Sequence, residues 1–127
     1  MTTPLKNPHD KFFRESFSHK AVAQDFLQQY LPAEIVAKLD FRTLKIEKDS
    51  FIEKELQPHF SDMLYTVNYR QQPLQVYLLF EHKSYTDSLI AFQLLTYLVK
   101  IWGQYRKQHP EARTLPVVLP LVCKRSF

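Results

Sequence analysis

Residues 74–83 read LQVYLLFEHK, an apolar run that ends in Glu81, His82 and Lys83. Side chains of a strand alternate between its two faces. A strand here therefore sets Glu81 and Lys83 on one face with Tyr77 and Leu79, and turns His82 to the other. The stretch 63–69 has the same Val, Tyr and Leu character, and Arg70-Gln71-Gln72-Pro73 separates the two, which predicts a β-hairpin. Symmetric closure, with a two-residue loop at Gln71-Gln72 or the favoured four-residue loop 70–73, opposes Asp62 directly to Glu81. Their Cβ atoms would then lie about 5 Å apart. Two opposed carboxylates repel unless a proton or a cation sits between them, so the pair is a ready site for a divalent metal. Magnesium takes oxygen ligands and commonly uses one or two protein carboxylates, leaving other positions for water and substrate phosphate. That chemistry fits phosphodiester hydrolysis, with Asp62 and Glu81 as metal ligands and Lys83 orienting water or neutralising developing charge. The ordinary alternative is that Asp62 starts a strand, Glu81 ends one, and Lys83 forms a surface ion pair.

The elements that must position these residues follow from periodicity. Phe12, Phe13, Phe17, Val22, Phe26, Leu27, Tyr30 and Leu31 recur at helical spacing, which predicts one broken helix or two, with Ser18 as an N-cap. Pro32 suits the first turn of a short helix through Lys38. A strand is expected within 41–52. Residues 88–108 carry the wide apolar stripe of a largely buried helix capped by Asp87 or Ser88. The run 115–122 reads as a buried strand. Strand, helix and strand in that order predict a right-handed parallel crossover. The expected order is α-β-β-β-α-β, an α/β domain on a mixed sheet.

The 127 residues, 45% hydrophobic and 24% charged, suit one globular domain with one core. A single cysteine, Cys123, excludes an internal disulfide and a zinc finger, and a single glycine, Gly103, excludes a P-loop or dinucleotide fingerprint, so no nucleotide cofactor is expected. The first thirty residues contain no signal-like or membrane-spanning run, so the expected compartment is the cytoplasm, with no membrane partner. Net charge is +4. Lys100, Arg106 and Lys107 help make the C-terminal third basic, either a phosphate-binding surface or a solvated helix face.

With Ser61-Asp62 and Glu81-His82-Lys83 in these places, the chain resembles the PD-(D/E)XK nuclease superfamily, although Ser61 stands where the motif has proline. More closely it resembles the YhgA-like transposase family, also called recombination-promoting nucleases. The resemblance runs through PHDKFFRESFS from Pro8, DFLQQYLP from Asp25, SFIEKEL from Ser50, FSDMLYTV from Phe60, LLFEHKS from Leu78 and AFQLLTYLVKIW from Ala91. It implies a restriction-endonuclease-like core, a four-stranded mixed sheet flanked by helices. It also implies magnesium-dependent DNA cleavage linked to recombination or mobile elements in bacteria, with manganese as a substitute metal and association with the nucleoid when bound to DNA. Related folds place a polar residue one helix after E-x-K, the position of Gln93. Family members are longer, and their match to LPVVLPLV continues through a turn into a further region. Residues 1–127 are therefore expected to be a single nuclease domain, truncated at its C-terminus or minimal. The alternative is a catalytically impaired remnant that binds DNA or acts as an oligomerisation module, a homodimer included.

Overall fold

The computed structural model describes residues 8–47, 49–82 and 88–124. Lys83 and Asp87 lie outside the described residues. Three helices come first, α1 (Pro8–Phe17), α2 (Lys20–Tyr30) and α3 (Ala33–Val36), followed by strands β1 (Leu39–Glu47), β2 (Phe60–Tyr69) and β3 (Gln72–Glu81). Helix α4 (Ile90–Gln108) then leads to β4 (Val117–Lys124). The sheet runs β1-β2-β3-β4, antiparallel at the first two contacts and parallel between β3 and β4. This four-stranded mixed sheet flanked by helices bears out the expected α/β class and fits a restriction-endonuclease-like core.

Each face of the sheet carries its own apolar cluster. Met63, Tyr65, Val67, Val76 and Leu78 pack with Phe13, Ala23 and Leu27 of α1 and α2. The alternate residues Phe60, Leu64, Tyr77 and Leu79 pack with Tyr97 and Ile101 of α4 and with Ile52. Period-two alternation in both central strands is therefore what separates the two layers. Cys123 is half-buried against the first cluster, as a small apolar residue would be, and burial raises its thiol.

Several local expectations are corrected. Ser18 does not cap α2. Its hydroxyl donates to the Arg14 carbonyl and so closes α1, while His19, in extended backbone, begins the next helix. β1 stops at Glu47, and Phe51 and Ile52 leave the sheet to pack against the second cluster. The N-cap of α4 is Leu89, with no side-chain cap, rather than Ser88. Nor is α4 largely buried. Only Tyr97 and Ile101 are buried, while Phe92 (68% exposed), Leu95 and Val99 face outward, because one sheet face can cover only one side of the helix. Among the described residues β4 is an edge strand rather than a fully buried one, with Val117 and Val122 exposed. Pro120 sits in the middle of it, a place open to proline because an edge strand turns alternate N–H groups away from the sheet. Among the described residues no helix is long and apolar enough to cross a membrane.

Candidate active site

The hairpin closes more tightly than expected. Tyr69 pairs with Gln72 across a two-residue turn at Arg70-Gln71, both with positive φ (50° and 68°). Such a turn matches the right-handed twist of the strands, and this is why it displaces the four-residue loop. The register consequently slips by two residues, so that Asp62 opposes Leu79 and Glu81 opposes Phe60. A slip of two preserves the face. Asp62 and Glu81 still share the α4 side, but as diagonal neighbours about 7–8 Å apart rather than a directly opposed pair.

Asp62 is 1% exposed and Glu81 is fully buried. Among the described residues β1 pairs with β2 only as far as Glu47 opposite Leu64, so β1 does not cover the edge of β2 at Asp62 and other groups reach it there. Arg14 of α1 donates from Nη1 to the Asp62 carbonyl (2.6 Å) and to Oδ1 (3.3 Å). The Ser50 hydroxyl donates to Oδ1 (2.6 Å), and the Phe51 amide and the Tyr77 hydroxyl each donate to Oδ2 (2.8 Å). Burial raises the Asp62 carboxyl above its ordinary range, and these four donors oppose the rise without cancelling it. Tyr77 is pushed up in turn by burial and then by the neighbouring Asp62 charge.

A second cluster continues from the first. Tyr77 and Tyr97 lie with ring centroids 6.1 Å apart, and the Tyr97 hydroxyl donates to Glu53 Oε2 (2.9 Å). Lys100 donates to Glu53 Oε1 (2.9 Å) and lies 5.5 Å from the centre of the Tyr97 ring. Lys100 is thus engaged with a carboxylate, whereas Arg106 and Lys107 stand exposed in the last turn of α4. Gln93 is half-buried near the start of α4, and its Oε1 is buried with no hydrogen-bond partner among the described residues. On the opposite sheet face Ser61 Oγ and His82 Nε2 lie 2.8 Å apart, so His82 does turn away from the carboxylates.

No group of three or more His, Cys, Asp or Glu residues able to hold a metal ion occurs among the described residues. The two carboxylates do fit a hard cation such as magnesium, which commonly takes only one or two from a protein, and the orphaned Gln93 oxygen is of the same donor type. Sequence reasoning missed Arg14, Ser50, Glu53 and the Phe51 amide. Tyr77 was within its reach, since alternation puts it on the Glu81 face.

A family model described as "Putative transposase, YhgA-like" matches residues 7–126, and the chain belongs to this family. It is 39% identical over 117 residues to "Recombination-promoting nuclease RpnA" of Escherichia coli (strain K12), covering 91% of this chain and 39% of that protein. It is 34% identical over 122 residues to "Recombination-promoting nuclease RpnC" of the same strain, covering 96% of this chain and 40% of that protein. A shorter relative, "Putative inactive recombination-promoting nuclease-like protein YjiP", also of that strain, is 33% identical over 94 residues, covering 74% of this chain and 91% of that protein. The chain therefore spans about two fifths of the length of RpnA and RpnC. No solved structure matches it.

Proposed function

We propose that this chain carries the catalytic core of a metal-dependent DNA endonuclease that acts in recombination. The observation behind this reading is the burial of Asp62 and Glu81 on one sheet face, with Lys83 two residues beyond Glu81. Kinship with relatives named recombination-promoting nucleases supports it. Asp62 and Glu81 would hold magnesium, with manganese as a substitute, and the ion would polarise the scissile phosphate and activate water. Arg14, Ser50, the Phe51 amide and Tyr77 fix the orientation of the Asp62 carboxylate. Lys83 supplies a cation to orient water or neutralise charge on the phosphate, and the Gln93 amide is a further polar contact. Arg106 and Lys107 meet the DNA backbone.

The test is nicking of supercoiled plasmid with and without magnesium by wild type, Asp62→Ala and Lys83→Ala proteins shown to be folded. Magnesium-dependent nicking lost in both variants is the expected result. No nicking by the folded, magnesium-loaded wild type would reject the reading. A second reading, a catalytically impaired module that binds DNA or a second copy, is favoured by the inactive designation of YjiP and by the outward apolar face of α4.

A further inference from the structure

The α4-facing side of the sheet changes character along its length. Near Glu81 it is the apolar floor of a core, with Leu64, Tyr77 and Leu79. Toward the hairpin turn the same face presents Lys45, Thr66 and Gln75, which the register places side by side. The helix above changes in step, from Tyr97 and Ile101 to Gln104 and Gln108. Between them lies a cleft of about 570 Å³, within the range of small-molecule sites. It runs inward to a narrow polar recess bounded by Glu47 and Asp49.

Three features define what would fit. Gln75 lines the floor, and its Oε1 is closed off from solvent with no hydrogen-bond partner among the described residues, an acceptor without a donor that a rotation of the side-chain amide would turn to the cleft. Glu47 and Asp49, the latter already accepting from Gln104 Nε2 (2.6 Å), add negative charge, which disfavours a phosphate in the recess and favours N–H groups. At the mouth, Tyr105 and His109 stack with ring centroids 4.3 Å apart, a flat aromatic surface beside the opening. A planar heterocycle with an amino edge satisfies all three.

We infer that this cleft binds an amino-bearing nucleobase, its N–H edge toward Gln75 and its ring against Tyr105. Gln75 and Glu81 lie six positions apart on β3, about 20 Å at strand spacing. If Asp62 and Glu81 form the cleavage centre, as proposed above, a base held here lies about six nucleotides from the cut at a stacked spacing of 3.4 Å. Lys45 at the rim would meet the backbone between them.

The experiment is a titration followed by amide chemical shifts, without metal, using adenosine, cytidine, thymidine, ribose 5-phosphate and an eight-nucleotide oligo-dA. Adenosine and cytidine should shift Gln75, Gln108 and Tyr105, thymidine less, and ribose 5-phosphate not at all. Gln75→Leu removes the orphaned acceptor, so it should melt no lower than wild type yet bind adenosine roughly tenfold more weakly. Tyr105→Ala, altered on the helix surface, should weaken it as well. Saturation by the oligonucleotide at lower concentration than by adenosine identifies nucleic acid as the source of the base, and the reverse identifies free nucleoside. No shift with any nucleoside, an equal response to ribose 5-phosphate, or unchanged affinity in Gln75→Leu would overturn the inference. Because no cleavage is read, loss of the nuclease proposal in the plasmid assay would leave this result standing.

Discussion

Four donors converge on the buried carboxylate of Asp62, and they are not equal. Tyr77 is itself buried, so Tyr77→Phe leaves Asp62 Oδ2 with only the Phe51 amide among the described residues. A hydrogen bond to a charged group contributes about 1.5–3 kcal/mol, and urea unfolding of Tyr77→Phe should show a loss of that size. A loss below about 0.5 kcal/mol would make the phenol dispensable. Glu53 and Asp62 respond to pH with opposite signs. Burial is the largest influence on Glu53 and raises it, but the bonds from Lys100, from its own backbone amide and from Tyr97 together win, and its carboxyl lies below the ordinary value. Its stabilising contribution is therefore present above the ordinary range and lost as pH falls through the lowered value. Asp62 is raised, so its proton is held more tightly in the folded state, and stability is lost as pH rises through the raised value. In melts across about pH 3 to 8, Glu53→Gln should lessen the acid-side loss and Asp62→Asn the loss on the way up, the former by no more than about 1 kcal/mol because the pair is part-exposed. A steeper acid-side loss in Glu53→Gln would contradict this. The shared face of Asp62, Glu81 and Tyr77 was legible because alternation is local. The Arg14 contact, 48 residues away in sequence, was not, because it depends on how α1 docks against β2.

At the scale of elements, the hairpin turn holds a residual strain. Arg70 and Gln71 both occupy left-handed backbone, which costs non-glycine residues roughly 1–2 kcal/mol each. Replacing the pair by Asn-Gly should raise stability by about 1 kcal/mol while leaving plasmid nicking unchanged, since the turn lies at the far end of the hairpin from Asp62 and Glu81. An unchanged or lower melting temperature would mean that Arg70 and Gln71 contribute contacts that offset the strain. The existence of both hairpin strands was legible from their apolar runs, and so was their antiparallel pairing. The loop was not, because Arg-Gln carries none of the Asn or Gly signals of this turn type, and the twist of the strands imposed the geometry instead. The outward face of α4 was misread for a related reason. A wide apolar stripe suggests a helix buried over most of its surface, yet here only one side is covered among the described residues.

Across the whole molecule, two apolar layers separated by strand alternation were predictable in kind, since the α-β-β-β-α-β order was readable from the sequence. Their registration was not, because a two-residue slip keeps every side chain on its face and leaves the pattern of apolar positions unaltered. The exposed Phe92 and Val99 contribute little to either layer. Phe92→Ser with Val99→Ser should leave stability within about 0.5 kcal/mol of wild type per site, measured by urea unfolding. A larger loss would mean that this face is covered in solution, which sedimentation at several concentrations would confirm. The same exposure makes the treatment of the sheet's open side important. A strand laid alongside β4 would look for a donor every second residue, and Pro120, in the middle of the row, has none to give where its ring nitrogen faces outward. Chain-on-chain growth into a fibril through that edge would thus meet a missing rung halfway along, which protects a molecule carrying exposed valines beside it from templating its own precipitation.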